Sequence, residues 1–166
     1  MPDGLYERDI LAWSQYQADL LRRLARGERV NDVDWVHVAE EIEDVGLSEL
    51  HSVEIFLDLM LVHLVKLHAW PGGESRAHWR GEILAFRRNA RRRFSPSMRQ
   101  RIDLGTLYAE AVMQLQAIDP DIRLPADNPF SLDLLLAGSL WMNWWPGFHG
   151  TGRKVPSRPV RFTAFP

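Results

Sequence analysis

Apolar residues recur at the spacing of an α-helix in the first part of the chain. The run begins at Leu5, and Gly27 follows its last member at a position where glycine commonly ends a helix. Its members are Leu5, Tyr6, Ile10, Trp13, Gln17, Leu20, Leu21 and Leu24. This pattern predicts a first helix over about residues 5–24.

A longer run follows and keeps its helical phase through Gly46. Asp32 or Asp34 can cap its start, because a short acidic side chain accepts hydrogen bonds from the first N–H groups of a helix. We predict one long helix from residue 35 to about residue 69, kinked near Gly46; two helices, the second capped by Ser48, are the alternative. The apolar positions of this run are Trp35, Ala39, Ile42, Gly46, Val53, Phe56, Leu57, Met60, Leu64 and Leu67.

Four shorter helical segments are predicted after a Trp-Pro-Gly-Gly break at residues 70–73. Ser75 and Ser131 are placed to cap helices, and Pro96 suits the first position of one. Gly105 is expected to interrupt the segment that Pro96 opens. The segments cover about residues 76–94, 96–104, 107–118 and 131–140.

The last part of the chain has a different composition. From Pro146 onward glycine, proline and basic residues dominate, and Val160, Phe162 and Ala164 alternate with polar residues as in an extended segment. Because no strand-like alternation precedes this tail, we predict an all-α fold: an antiparallel helical bundle with a long central helix and an irregular C-terminal tail. The bundle would cover residues 1–145, and the tail, residues 146–166, would dock on it or extend from it.

Composition narrows the chemistry and the location. The 166 residues include no cysteine, which excludes disulfides, iron–sulfur clusters, thiolate zinc sites and cysteine nucleophiles. The amino end has no basic and apolar signal segment, and no apolar stretch is long enough to span a membrane. We therefore expect a cytoplasmic protein without a membrane partner.

Charge is distributed unevenly, although the formal net charge is only −2. Residues 28–58 carry ten acidic residues and one arginine, whereas residues 76–101 carry nine arginines and one glutamate. If the two segments are neighbours in a bundle, their charges would favour the native pairing, although each exposed pair contributes only about 0–1 kcal/mol. The alternative is an anion-binding or nucleic-acid-binding patch, for which the candidate residues are Arg87, Arg88, Arg91, Arg92 and Arg93.

Glutamate and histidine suggest a second candidate site. Glu40 and Glu43 are neighbours on one side of the long helix, and His63 and Lys66 are neighbours later in the same run. Such residues can hold metal ions in helical bundles, but the Glu-x-x-His pairs of those sites are absent. We therefore expect no metal and no cofactor, and favour a partly buried salt-bridge network that links the glutamates to Lys66, Arg80 or Arg87.

The tryptophans are interpreted mainly as packing residues. Trp13, Trp35 and Trp79 occupy predicted core positions of helices. The denser group of Trp141, Trp144 and Trp145 could close one end of the core, form a dimer contact or stack on a planar ligand.

Several short motifs resemble a known family. They are Tyr6-Glu7-Arg8-Asp9, Ala12-Trp13, Gln17, Asp34-Trp35, Ala39-Glu40-Glu41-Ile42-Glu43 with Gly46, His63-Leu64-Val65-Lys66, the Ser75 to Trp79 stretch, Ser97 ahead of Arg99, and Pro129-Phe130-Ser131-Leu132. The set is similar to the bacterial domain-of-unknown-function family twenty-nine over about residues 5–145, and it departs at Leu67, where members more often carry Trp, and in the longer tail. The resemblance implies a helical bacterial protein with no assigned activity. It directs attention to Glu40, Glu43, His63, Lys66, Trp79 and Arg80.

No arrangement of nucleophile, base and orienting group appears in the sequence, and no phosphate-binding loop does either. We therefore favour a non-enzymatic interaction or scaffold protein, with a homodimer or another protein as partner. Nucleic-acid or anion binding through the arginine-rich helix is the first alternative. A metal-dependent or acid–base enzyme at the Glu/His cluster is the second.

Overall fold

The computed structural model describes residues 4–137, and these residues form six α-helices and one 3-10 helix. The all-α prediction and the long central helix are confirmed, and the described residues contain no β-strand. The predicted tail and the group at Trp141, Trp144 and Trp145 lie outside the described residues. The elements are α1 (Leu5–Arg8), α2 (Ile10–Ala25), α3 (Trp35–Ala69), α4 (Arg76–Arg93), the 3-10 helix (Pro96–Gln100), α5 (Leu104–Ile118) and α6 (Leu132–Leu136).

Contacts within the chain divide it into two compact units, Met1–His51 and Ser52–Pro166. The division falls inside α3, so the first unit holds α1, α2 and the start of that helix. The predicted domain limits at residues 145 and 146 stay a prediction.

The first predicted helix is interrupted at Asp9. The backbone of Asp9 is extended (φ −154°, ψ 85°), and its side chain accepts a hydrogen bond from the Ala12 N–H at 2.9 Å. The prediction of one helix over residues 5–24 was therefore wrong at this point, because an aspartate side chain can replace the backbone partner and start a new helix.

The end of α2 follows the prediction. Gly27 has φ +82°, its N–H bonds to the Leu24 carbonyl at 2.9 Å, and the Glu28 N–H bonds to the Arg23 carbonyl at 3.1 Å. These two bonds form a Schellman motif, which requires the left-handed conformation that glycine adopts without strain.

Helix α3 runs through Gly46 without a break, so the alternative of two helices is wrong. Asp34 rather than Asp32 marks its start, where its Oδ1 accepts a long hydrogen bond of 3.5 Å from the His37 N–H.

The predicted apolar face of α3 is turned outward in the first unit. Trp35 is 62% exposed and Ile42 68% exposed, so Trp35 is not a packing anchor, whereas Trp13 is buried as predicted. The reason is that α1 and α2 contact a different side of α3, where the Tyr6 ring stacks on His37 and the Trp13 indole bonds to Asp34. A helical period identifies an apolar face but does not show which face another helix covers.

In the second unit, α4 packs antiparallel to the later part of α3. His63 meets Phe86, and Trp70, just after α3, meets Trp79, so positions that advance on one helix go back on the other. The Arg76 guanidinium closes the connection by donating to the Leu67 carbonyl at 2.9 Å. The buried apolar residues here are Val53, Leu57, Met60, Leu61, Val62, Val65, Trp79, Ile83, Ala90, Met98, Tyr108, Ala111, Leu115, Phe130 and Leu135.

The remaining boundaries follow local capping chemistry. Pro96 opens the 3-10 helix as predicted. Asp103 caps α5 through the Thr106 N–H at 3.0 Å, so Gly105 lies in the first turn of that helix and does not interrupt it. Ser75 precedes α4 but makes no capping hydrogen bond through its side chain.

The short helix α6 begins as predicted and ends early. The Ser131 hydroxyl accepts from the Leu134 N–H at 3.2 Å, and Ala137 ends the helix with an extended backbone instead of continuing to residue 140. None of the described helices has an apolar stretch of the length needed to cross a bilayer.

Candidate functional site

Helix α4 has two chemically different sides. Trp79, Ile83 and Ala90 are buried, as expected for the side that faces the second unit's core. Leu84, Arg88 and Arg91 recur at helical spacing on another side, and all three are exposed. The helix therefore presents an arginine-rich surface on a firmly packed element.

An open cleft of about 470 Å³ lies along this surface. Of the five arginines predicted as an anion-binding patch, four line the cleft, whereas Arg93 is not among its lining residues. The described residues that line the cleft include no carboxylate; they are Leu84, Arg87, Arg88, Arg91 and Arg92.

Arg87 is the unusual residue of the cleft, because its side chain is buried and forms no ion pair with a carboxylate among residues 4–137. Only 4% of Arg87 is exposed. Its Nε donates to the Leu135 carbonyl at 3.1 Å, while its Nη2 is buried and has no hydrogen-bond partner in the described part of the chain. A buried charged donor without a partner is costly, so such groups are normally satisfied in native proteins.

The electrostatics of the cleft favour an anion. Burial lowers the pKa of Arg87, and the positive charge of Arg91 lowers that pKa further. The guanidinium stays protonated at physiological pH because its ordinary pKa is far above neutrality. An anion bound in the cleft would reduce the repulsion between the arginines, and it would pair Nη2 if the guanidinium turned towards the cleft.

Helix α6 holds Arg87 in place. Its Leu135 is fully buried and supplies the carbonyl that accepts from Arg87. Arg99, in the 3-10 helix, donates to the Asp133 carboxylate at 2.6 Å, and this exposed pair ties the 3-10 helix to α6. The position of the buried guanidinium thus depends on packing between α4 and α6.

The second predicted site is distributed over both units. Glu40 and Glu43 belong to the first unit and are exposed. His63, Lys66, Trp79 and Arg80 belong to the second unit. The hypothesis that these six residues form one site, or a salt-bridge network, stays a prediction.

Within the second unit, His63 and Lys66 are half-buried on α3. The His63 Nδ1 lies 2.7 Å from the Leu59 carbonyl, and its ring packs edge-on against Phe86 at 5.5 Å. Burial lowers the pKa of His63, and burial also lowers the pKa of Lys66. The contacts of His63 hold its ring between α3 and α4, and burial shifts both His63 and Lys66 towards their neutral forms.

Trp79 and Arg80 have separate surroundings. The Trp79 ring is buried against Trp70, with centroids 6.1 Å apart. The charge of Arg80 acts on Arg76, whose pKa is lowered by burial first and by Arg80 second. Trp79 is thus a packing residue, as predicted.

A polar network at the start of α3 was not predicted as a unit. The Tyr6 hydroxyl donates to Glu41 Oε1 at 2.8 Å, and the Tyr6 ring stacks on His37 at 3.9 Å. Asp34 Oδ2 lies 2.7 Å from His37 Nδ1 and accepts from Trp13 Nε1 at 3.3 Å. The spacing of Asp34 and His37, one helical turn apart, was the available sequence signal.

The charges in this network stabilise each other. The hydrogen bond to His37 lowers the pKa of Asp34, and the hydrogen bond to Asp34 raises the pKa of His37. The bond to Glu41 raises the pKa of Tyr6 to about 12. The polar groups of this network pair with one another, whereas Arg87 Nη2 finds no partner among the described residues.

The family described as Domain of unknown function DUF29 matches residues 5–141. This chain belongs to the DUF29 family. The matched range contains both the network at the start of α3 and the arginine-lined cleft, and the resemblance noted from the sequence motifs is confirmed.

A solved structure supports the DUF29 fold. It is the crystal structure of an alpha-helical protein of unknown function from Rhodospirillum rubrum, which is 33% identical to this chain. The likeness covers 81% of this chain and 90% of that protein, with a TM-score of 0.62. No curated protein matches the chain. The DUF29 family and this relative therefore establish the fold and carry no assigned activity.

Metal binding receives no support from the described residues of this DUF29 protein. Across residues 4–137, no group of three or more histidine, aspartate or glutamate side chains could hold a metal ion. The arginine-lined cleft is the stronger candidate for binding a ligand, because its charge has no internal counterpart in the described part of the chain.

Proposed function

We propose that this DUF29 protein binds a phosphate-bearing anion in the arginine-lined cleft. The observation that carries the proposal is the buried Nη2 of Arg87, which has no partner within residues 4–137. A turn of the Arg87 guanidinium towards the cleft would let a phosphate oxygen accept the missing hydrogen bond, and the exposed Arg88, Arg91 and Arg92 would supply further charge-assisted bonds.

Several properties support a phosphate group. Arginine forks match phosphate geometry with two parallel hydrogen bonds. The cleft volume of about 470 Å³ lies within the range of small-molecule sites. Leu84 adds an apolar contact, which suits an organic phosphate better than the phosphate backbone of a nucleic acid.

We place this proposal ahead of the scaffold hypothesis that the sequence favoured, which stays a prediction. That hypothesis required the acidic segment to neutralise the arginines. Arg87 instead bonds to a backbone carbonyl, and Arg99 pairs with Asp133, which is outside the acidic segment. A cytoplasmic location, expected from the sequence, belongs to the same proposal.

Calorimetric titration and thermal unfolding test the proposal. Inorganic phosphate, pyrophosphate and a single-stranded oligonucleotide would each be added at low salt. We expect phosphate and pyrophosphate to raise the melting temperature, since a ligand at one hundred times its Kd adds about 2.7 kcal/mol of stability. Arg88→Gln and Arg91→Gln should each weaken pyrophosphate about tenfold.

Arg101→Gln is the matched control, because Arg101 is an exposed arginine of the same unit that does not line the cleft. Its pyrophosphate affinity should equal that of the unmodified protein. Failure of every anion to bind at low salt would refute the proposal. Preferential binding of the oligonucleotide, lost in Arg91→Gln, would replace it with nucleic-acid recognition.

A further inference from the structure

The Arg87 side chain reaches from α4 to α6 and is also one of the residues that line the cleft. Its Nε donates to the Leu135 carbonyl at 3.1 Å, and its Nη2 is buried. Nε and Nη2 donate from one edge of the planar guanidinium, so their N–H bonds point the same way and turn together. Pairing of Nη2 with an anion in the cleft therefore breaks the bond to Leu135.

That bond satisfies the end of α6. The Leu135 carbonyl lies in the last turn of the helix, where carbonyl groups have no N–H partner within the helix itself. Arg87 supplies a donor to this carbonyl, and Leu135 is fully buried. A buried carbonyl that loses its donor is costly for as long as it stays buried. The packed position of α6 thus depends on the same guanidinium that an anion in the cleft would use.

An exposed ion pair forms a second attachment of α6. Arg99 of the 3-10 helix donates to the Asp133 carboxylate at 2.6 Å, and both side chains are exposed. Neither residue is among those that line the cleft. Because α6 has only five residues, it is too short to remain helical without its contacts to the rest of the protein. Loss of the pair should therefore loosen α6 without changing any residue of the cleft.

We infer that docking of α6 and binding of a phosphate-bearing anion in the cleft compete for the Arg87 guanidinium. This inference rests on the proposed function and adds a means of regulating it. The coupling works in both directions, because two events that exclude each other must weaken each other equally. A bound anion loosens α6, and any change that loosens α6 tightens the binding of the anion.

Calorimetric titration of the full chain with pyrophosphate tests the coupling. Asp133→Asn and Arg99→Gln break the same ion pair but change the net charge in opposite directions. The charge controls are Asp127→Asn and Arg101→Gln, which alter exposed residues of the same unit and leave the pair intact. We expect each pair-breaking variant to bind pyrophosphate about two- to fivefold more tightly than its charge control, the size that one exposed ion pair allows. Both differences should disappear in an Arg87→Gln background.

Amide hydrogen exchange measures the coupling from the side of α6. The Leu135 N–H bonds to the Ser131 carbonyl at 3.0 Å, and the Ala137 N–H bonds to the Asp133 carbonyl at 2.8 Å. Saturating pyrophosphate should speed the exchange of both amides, because local opening of a helix exposes them to water. The Phe94 N–H, which bonds to a carbonyl of α4 at 2.8 Å, is the internal control and should not exchange faster.

Three results would overturn the inference. The first is tighter binding in Asp133→Asn and weaker binding in Arg99→Gln, each equal to its charge control, which would assign the effect to net charge. The second is weaker binding in both pair-breaking variants, which would show that docked α6 places Arg87 for the anion. The third is slower or unchanged exchange of the Leu135 and Ala137 amides with pyrophosphate bound. Absence of any anion binding would instead refute the proposed function, and this inference with it.

Discussion

The network at the start of α3 and the cleft along α4 differ in whether their buried polar groups have hydrogen-bond partners. At the start of α3, Asp34 accepts hydrogen bonds from Trp13 and pairs with His37. In the cleft, Arg87 is more deeply buried, yet its Nη2 has no partner in the described part of the chain, and its charged neighbour Arg91 repels it.

This difference separates structural polar groups from candidate binding groups. A paired network contributes to stability and gains nothing from a ligand. An unpaired buried cation reduces stability until an anion arrives, and natural proteins retain such groups mainly where binding needs them. Substitutions in the network should therefore change stability, and substitutions in the cleft should change binding.

The largest loss of stability is expected for Trp13→Ala. Trp13 is only 3% exposed, and its indole N–H bonds to Asp34, so removal leaves a cavity and an unpaired acceptor. Large aromatic residues cost about 3–5 kcal/mol when truncated in a core, and we expect a decrease of that size in the free energy of unfolding, measured in urea. Trp35→Ala is the control and should change it by less than about 0.5 kcal/mol, because Trp35 is exposed. Equal losses in the two variants would contradict the burial pattern.

Asp34→Ala should have the next largest effect. It removes the side-chain acceptor at the start of α3 together with the partner of His37 and Trp13. Loss of a helix cap costs about 0.5–2 kcal/mol, and we expect a value near the upper end from urea unfolding. Asp32→Ala is the matched control, since Asp32 is exposed beside it. If both substitutions cost the same, the network would not be the source of stability.

His37 in the first unit and His63 in the second should change the free energy of unfolding with pH in opposite directions. The raised pKa of His37 means that its contribution is complete below about pH 6.5 and is lost as the pH rises through its folded pKa. The lowered pKa of His63 means that folding favours its neutral form, so stability falls as the pH drops below about 6.5.

Two variants separate these contributions. Histidine titrates between about pH 5 and 8. In this range His37→Gln should make the free energy of unfolding rise more steeply with pH, because it removes a contribution that decreases as the pH rises. His63→Gln should flatten the same curve. The measurement is the urea midpoint at each pH, and unchanged slopes in both variants would contradict the assigned pKa directions.

The smallest effect is expected for Arg91→Gln without added anion. The charge of Arg91 lowers the pKa of Arg87, so its removal relieves repulsion and should leave the urea midpoint unchanged or slightly higher. Arg23→Gln is the comparison, because Arg23 bonds to Glu28 at 2.9 Å and its loss should lower the midpoint slightly. A marked loss of stability in Arg91→Gln would instead assign the cleft arginines to the structure.

Much of the fold was accessible from local sequence signals. Gly27 ended α2, Asp34 and Ser131 capped helices, and Pro96 opened the 3-10 helix as expected. Each of these signals acts over three or four residues, where side chain and backbone meet directly. The errors at Asp9 and Gly105 arose because helical periodicity and capping residues pointed to different helix boundaries. The hydrogen bonds from Ala12 N–H to Asp9 and from Thr106 N–H to Asp103 show which boundary forms.

The candidate sites were harder to predict from the sequence, because they depend on contacts between residues that are far apart in the chain. The arginines of α4 were recognisable in sequence, but the burial of Arg87 depends on the carbonyl of Leu135, 48 residues away. The apolar row from Trp35 to Ile42 was equally visible, but the sequence does not show that Tyr6 and Trp13 pack on another side.

The sequence by itself determined the helices, most of their ends and the separation of acidic from basic segments, since these follow from backbone hydrogen bonding, periodicity and composition. The tertiary structure decided which side of α3 is covered and which guanidinium is buried without a partner. Those outcomes depend on contacts between residues far apart in the chain, which local spacing does not encode.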